Sequence, residues 1–500
     1  MTKFQRSPLA LPLVFFICGI GVPLYIFLFF LAMLLLLLVV LWHYQKLALT
    51  LQFGSNLCKS LMLYLLFFLG GCLIKEINNE ENVAIKGNVS LSFAQVKFSN
   101  SVRYTSKGAW TTAQLLLDTL TLDVQVNLDS ARANLLERGD TLDLQNIKLY
   151  PLVKEGKVAS GFEEFLKRQG VVGKLYVNEY SFVRIRKNSS WKYSVYNRLH
   201  AKILKSKLSK GSKSLLLSLL IGDRGYIDKT TKDSFSALGV SHILSVSGLH
   251  VGIIYLILAF LISSIWNKHA YISLASILTF IWFYCWMVGF EAAVLRSALM
   301  FSLYAIGNAI GRKSNLLHTT ALSALIILSI NPSFLYDIGF QLTYGAMLGI
   351  IYIMPILQRK VHCESTIVKA ISELILLSLA VQITLLPLLI YHFQSLSVYF
   401  MVANLVVVPT VALIMYAGIL FLSIPENEIL NFIVDVLVMI NDSCCAWMCK
   451  WPYTILYINN ISLIDLSYYS IIVINVIFYE TWKLNAFLWI GLLSLLTLII

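Results

Sequence analysis

Apolar runs punctuate the chain at 24–41, 60–74, 244–266, 273–288, 297–310, 317–330, 338–356, 367–390, 398–422, 429–447, 471–479 and 486–500. Each approaches the roughly 20 residues that a helix needs to cross about 30 Å of hydrocarbon, so the pattern predicts about a dozen spans. Between 78 and 213 hydropathy falls, charges rise, and the period becomes the alternation of half-buried strands. The N-terminus, MTKFQRSPLALPLVFFICGIGVPLYIF, has the basic start and apolar run of a signal peptide. Its apolar character barely pauses at Gly21 and Pro23 before the next run, which favours an uncleaved pair of helices.

Within the polar insert, AIKGNVSLSFAQVKF, AQLLLDTLTLDVQVNL, DTLDLQNIKLYPL and KLYVNEYSFVRIRK read as strands bounded by Gly, Asn, Asp and Ser. Five or so short strands suit a small barrel such as an OB-fold, whose face and loops often bind oligonucleotides. Fold alone does not establish that function. The predicted class is a polytopic α-helical membrane protein with a small OB-like β-barrel inserted after the third helix. Its parts are N-terminal transmembrane helices (1–76), the OB-like domain (77–183), a basic juxtamembrane segment (184–213), a transmembrane core (214–425) and C-terminal transmembrane helices (426–500).

Lys and Arg accumulate in cytoplasmic loops. Placing Lys3 and Arg6 inside brings Lys46 and Lys59 inside as well and sends the insert to the outer face. The same count makes the loops bearing Lys268, Arg312 with Lys313, Arg359 with Lys360, and Lys483 cytoplasmic. Composition agrees: 58% of residues are hydrophobic, 13% are charged, and the mean hydropathy is +0.76. Soluble domains carry about a quarter charged residues. None of the eight cysteines lies between residues 73 and 284, so the insert has no disulfide framework of its own. Cys444, Cys445 and Cys449 cluster on one helix with only Asp442 nearby, a setting that suits packing better than metal ligation.

The segment from Arg184 to Lys213 holds ten basic residues and no acidic one: Arg184, Arg186, Lys187, Lys192, Arg198, Lys202, Lys205, Lys207, Lys210 and Lys213. Trp191, Tyr193 and Tyr196 interleave with them. Such a stripe suits single-stranded nucleic acid, where phosphates supply affinity and bases stack on rings. It equally suits anionic lipid headgroups.

Downstream, Ser241, His242, Ser245, Ser247 and His250 enter one span, and 242, 245/246 and 249/250 share a helical face. Glu291 and Arg296, Asp337 and Gln341, His392, and Asn404 add polar groups in other spans, with Glu291 and Arg296 as a candidate buried ion pair. Polar groups at such depth face the protein interior or a hydrated path. They also serve as glue between helices. Ser247 and His250 raise the question of a nucleophile and its base, but no elbow or oxyanion signature surrounds them. The eight histidines include no HxH or HExxH spacing, and there is neither a phosphate-binding loop nor a dinucleotide fingerprint. No metal, cofactor or catalytic residue is expected, and directional transport must draw its energy from elsewhere.

The segment DSFSALGVSHILSVSGLHVGI resembles the signature of the ComEC competence proteins, with Phe235, Gly239, His242, Ser245, Ser247, Gly248, Leu249 and His250 in place. There follow in family order Arg296, Gly311 with Arg312, the NPSFLYDIGFQLTYGA block (Asn331, Pro332, Asp337, Gly339, Phe340, Gln341, Ala346) and the ANLVVVP block (Asn404, Pro409). LLERGDTLDL and GFEEFLKRQGVVGKLYV resemble the family's N-terminal OB-like domain. GFEAAVLRSALM departs from the family, which commonly has a Pro-Ser pair before the Arg. Many members also carry a C-terminal metallo-β-lactamase-like domain, whereas this sequence ends on an apolar run, so a nuclease is expected as a separate protein. The resemblance implies a non-enzymatic channel for single-stranded DNA in a bacterial inner membrane. His242, Ser245, Ser247, His250, Arg296, Asp337, Gln341 and Asn404 would line or gate its path, and Arg184, Arg186, Lys187, Trp191, Lys192, Arg198, Lys202 and Lys205 would receive DNA at the outer face. The implied partners are single-stranded DNA, membrane lipids, a separate DNA receptor, a cytoplasmic motor and further copies of the chain. A transporter of a small anionic metabolite or lipid and a membrane-embedded hydrolase are the rival readings.

Overall fold

The structure, a computed structural model, describes residues 9–21, 52–79 and, short stretches excepted, 87–458. The expected spans at 24–41, 471–479 and 486–500 lie outside these residues, as do Lys3, Arg6, Lys46, Lys268, Arg312, Lys313, Lys360 and Lys483. The chain divides into two compact units, Met1–Asn82 with Leu299–Leu396 and Tyr457–Ile500, and Val83–Ala298 with Ser397–Leu456.

The second unit begins with the insert. Its strands are β1 (Val89–Lys97), β2 (Arg103–Thr105), β3 (Gly108–Leu117), β4 (Leu120–Leu128), β5 (Thr141–Pro151), β6 (Val171–Tyr176) and β7 (Phe182–Arg186). Five of them close a ring in the order β1-β3-β4-β6-β5, with β1 and β5 completing the circle from Val89 opposite Leu149 to Lys97 opposite Thr141. The β4–β6 pair is parallel and the other pairs in the ring are antiparallel. This is the closed five-stranded Greek-key barrel that the alternation predicted, and closure leaves none of the five strands with a free edge. Alternation sends Val96, Leu115, Val124, Val126, Leu142, Leu144 and Leu175 into the ring, where each is fully buried. β2 pairs with β3 and β7 with β5, outside the ring. Because β7 runs through Arg186, Arg184 and Arg186 are strand residues.

Among the described residues six helices are long and apolar enough to cross a membrane: Tyr271–Val288, Ala292–Ala309, Ile338–Gln358, Thr366–Phe393, Phe400–Ser423 and Glu428–Met448. Leu11–Gly21, Gly248–Ile262 and Leu316–Ile330 are shorter apolar helices. The chain is thus a polytopic membrane protein, with six of the dozen expected spans present at full length. The shortfall has a physical source in part. The expected span beginning at 244 loses its first turn, because Ser245 is extended and the helix starts only at Gly248.

In the membrane part of the second unit, Phe235, Leu238 and Ile243 pack against Val407, Val411, Ile414 and Met415 of one span and Val434, Val438, Cys445 and Met448 of another. Cys445 is thus a packing residue of this core, and Cys449 Sγ donates to the Ser234 carbonyl at 3.6 Å. In the first unit, helices Ala10–Gly21 and Gln52–Asn79 meet backbone to backbone at glycine. A methyl on Gly19 would stand 2.0 Å from the Phe68 carbonyl oxygen, and one on Gly71 would stand 2.2 Å from that of Phe16.

Candidate functional site

Three turns converge in the second unit. The first follows the π-turn Leu217–Ile221, which Gly222 ends at φ +84 while the Asp223 amide reaches back to the Leu217 carbonyl at 3.0 Å. π-turns inside helices frequently mark functional sites. Asp223 Oδ1 accepts from the Gly225 amide at 2.9 Å, and its Oδ2 lies 3.2 Å from His200 Nε2 and 3.5 Å from the Tyr196 hydroxyl. Arg224 reaches the other way, its Nη2 standing 3.4 Å from Glu291 Oε2.

The second turn carries the sequence signature. Helix Lys229–Ala237 stops at Gly239, φ +72, and the Val240 amide returns to the Phe235 carbonyl at 2.9 Å. A short 3-10 turn, Ser241–Leu244, is held where Ser218 Oγ donates to the Leu244 carbonyl. Ser245 is then extended, with φ −103 and ψ 151, and its hydroxyl donates to the His242 carbonyl at 2.9 Å. The single helical face expected across 242–250 is therefore overturned. The Ser-rich stretch satisfies its own backbone with side-chain hydroxyls and so competes with helix. Ser241 and His242 are exposed, and His250 is fully buried in the first turn of the next helix.

Ser247 precedes that helix, and its amide donates to His250 Nδ1 at 3.0 Å, with Ser247 Oγ 2.9 Å from the same nitrogen. His250, at the third helical position, thus supplies the return half of a capping box, with histidine in the place of the usual Glu or Gln. Because Nδ1 accepts an amide proton, the ring proton sits on Nε2. Nε2 is buried and has no hydrogen-bond partner among the described residues. A hydrolytic Ser–His pair needs an acid to orient its base. Among the described residues no acid bonds to Nε2, and the Ser247–His250 contact caps the helix.

The third turn joins two spans. The amides of Gly289 (φ +102) and Phe290 (φ +57) both return to the Cys285 carbonyl, at 3.2 and 2.9 Å, and close the end of helix Ala270–Val288. Arg138, from the loop that enters β5, donates Nη2 to the Val288 carbonyl at 3.0 Å and lies 4.8 Å from the Tyr196 ring centroid. A cation there is favoured by the helix dipole. Gly222 marks the meeting point: a methyl on it would stand 3.0 Å from Val288, 3.3 Å from Val246 and 3.8 Å from Glu291 Oε1. Gly248 backs onto Ser297 Oγ, 2.9 Å from where its Cβ would be. The expected Glu291–Arg296 pair is replaced by Glu291–Arg224, since Glu291 sits in the turn ahead of helix Ala292–Ala309 while Arg296 is buried within it.

The other path residues fall apart by unit. Asn404 lies on helix Phe400–Ser423 of the second unit. Asp337 and Gln341 belong to the first unit, where Asp337 is an N-cap, its Oδ1 accepting from the Phe340 amide at 2.8 Å. Gln341 donates Nε2 to the Leu335 carbonyl at 3.0 Å, and its Oε1 lies 3.2 Å from His392 Nε2.

The basic segment is less free than its sequence suggests. Arg186 binds Asp143 at 2.7 Å, Lys187 binds Asp140 at 2.9 Å, and Lys202 donates to the Leu422 carbonyl at 2.6 Å. Lys207 meets Glu428 and Lys210 meets Asp228. Arg184, Arg198 and Lys205 are exposed. The side chains of Trp191 and Lys192 lie outside the described residues. Sequence reasoning passed over Arg224 and Arg138, although an arginine between two glycines in IGDRG and another beside glycine in LLERGD mark each as a turn cation.

Fold and site together define a polytopic membrane protein with a barrel domain and a polar junction of turns. The competence protein family matches residues 219–483, just over half of the chain, and the chain belongs to that family. It is 28% identical over 275 residues to ComE operon protein 3 of Bacillus subtilis, covering 54% of this chain and 34% of that protein. It is 27% identical over 220 residues to recombination protein 2 of Haemophilus influenzae, covering 41% and 28%. The chain therefore spans about a third of the curated relatives it matches. No solved structure matches it.

Proposed function

We propose that the chain acts in DNA uptake as a channel, carrying single-stranded DNA across a bacterial inner membrane during natural transformation without itself catalysing a reaction. The observation that carries this reading is the junction of the turns around Gly222, Val246 and Gly289, where the guanidinium of Arg138 donates to the Val288 carbonyl and that of Arg224 faces Glu291. A phosphate backbone is bound by such donors, whatever the base sequence. Arg138 meets the Val288 end of its span, the end away from Lys268, which agrees with a barrel outside and Lys268 in the cytoplasm. Arg184, Arg198 and Lys205 are exposed and make no ion pair among the described residues, and the reading gives them the incoming strand. A DNA receptor, a motor and a nuclease act as separate partners.

The test is internalisation of labelled DNA in a strain lacking the gene, complemented with wild type or His250→Ala. Wild type restores uptake and His250→Ala reduces it at equal protein level. Normal uptake without any complementing copy refutes the channel role, and normal uptake with His250→Ala removes that residue from it.

A further inference from the structure

Arg224 and Glu291 form the one ion pair among the described residues that ties two of the converging turns together, and its geometry is that of a contact made to be exchanged. The single N–O approach is 3.4 Å, against about 2.7–2.9 Å for a strong charge-assisted bond. The two side chains are 41% and 35% exposed, so an incoming anion can reach the guanidinium without unfolding anything. The backbones on both sides are fixed. Gly222 (φ +84) holds the Arg224 turn against Val288 and Val246, and Gly289 (φ +102) holds the Glu291 turn against the Arg138 guanidinium. Asp223 is turned away toward Tyr196 and His200, which leaves Glu291 as the carboxylate facing Arg224.

We propose that Arg224 is a phosphate-receiving residue at the barrel-side mouth of the membrane core, and that Glu291 is its displaceable counter-anion, holding the place that a backbone phosphate of single-stranded DNA takes. This rests on the DNA-channel reading and adds the group that first exchanges partners. A phosphodiester carries the same single negative charge as the carboxylate, so the exchange preserves the local charge balance. When no strand is present the carboxylate occupies the cation and discourages small anions, and it is displaced by mass action only when a polyanion offers many phosphates at once.

The experiment is titration of a fluorescent 20-mer of thymidylate against the full-length protein in nanodiscs of neutral lipid, at several salt concentrations. Glu291→Gln removes the competitor and tightens binding several-fold, whereas Glu291→Asp stays close to wild type. Arg224→Ala weakens binding, lowers the salt slope by about 0.7 for the lost single-strand phosphate, and abolishes the gain from Glu291→Gln in the double variant. Unchanged or weaker binding by correctly folded Glu291→Gln overturns the proposal, as does a gain that survives Arg224→Ala. If phosphatidylglycerol in the nanodisc removes the Glu291→Gln gain, Arg224 binds lipid headgroups, and the proposal falls. If wild type itself fails to bind the oligonucleotide, it is the DNA-channel reading that fails.

Discussion

Replacing Gly289 by Ala tests whether the barrel loop and the membrane turn act as one mechanical part. At φ +102 an L-residue is strained by about 1–3 kcal/mol. The new methyl would also stand 1.9 Å from Arg138 Nη2 and must push the guanidinium off the Val288 carbonyl, a charged hydrogen bond worth about 1.5–3 kcal/mol. The single variant should therefore lose about 2.5–6 kcal/mol. In an Arg138→Ala background there is nothing left to push, and Gly289→Ala should cost only the backbone strain. A double-mutant cycle on equilibrium unfolding in mixed micelles should then give a coupling of about 1.5–3 kcal/mol. Additivity within about 0.5 kcal/mol would refute the docking of Arg138 on this turn.

Glu163 accepts from the Ser160 amide at 2.9 Å and from Lys174 Nζ at 2.7 Å, and Lys174 first, then Ser160, holds its carboxyl down to about 2. A depressed carboxyl stabilises the fold above its unfolded value of about 4.3, and that contribution disappears as pH falls toward 2. Thermal unfolding of Glu163→Gln should accordingly show a smaller loss of stability between pH 5 and pH 2 than wild type, and an equal loss would contradict the pairing. In the first unit, Cys72 is buried and donates to the Gly19 carbonyl at 3.2 Å. In a background with the other cysteines replaced by serine, Gly19→Leu should expose that thiol and speed its maleimide labelling by at least tenfold. Unaltered labelling would refute the close helix contact.

The barrel was legible because its signal is local: β3 alternates buried and half-buried residues from Gly108 to Leu116, as the period of two requires. The register of its closing pair was not, because β1 and β5 lie about fifty residues apart and nothing short-range specifies how they align. The same distance in sequence hid the fate of the basic segment. Arg186 and Lys187 follow no nearby acid, yet the barrel brings Asp143 and Asp140 from more than forty residues upstream to meet them. The signature residues 242–250 were found, but their shape was misjudged, because small polar residues satisfy the backbone as readily in turns as in helices. Arg224 drew no notice in the sequence, because its partner Glu291 lies 67 residues further on.

The pairing of β5 has a consequence for how the barrel carries load. The chain enters at Val89, opposite Leu149 near the end of β5, and leaves at Arg186, opposite Thr141 at its start. The insert is therefore wired in series with the chain, not hung from it by one corner. Tension between its two ends slides β1 and β7 in opposite directions along the strand between them, and loads both ladders in shear. Hydrogen bonds sheared together must break together, whereas a hairpin pulled from one end unzips bond by bond. Pulled from its two ends, this domain is a fitting that transmits force and keeps its shape.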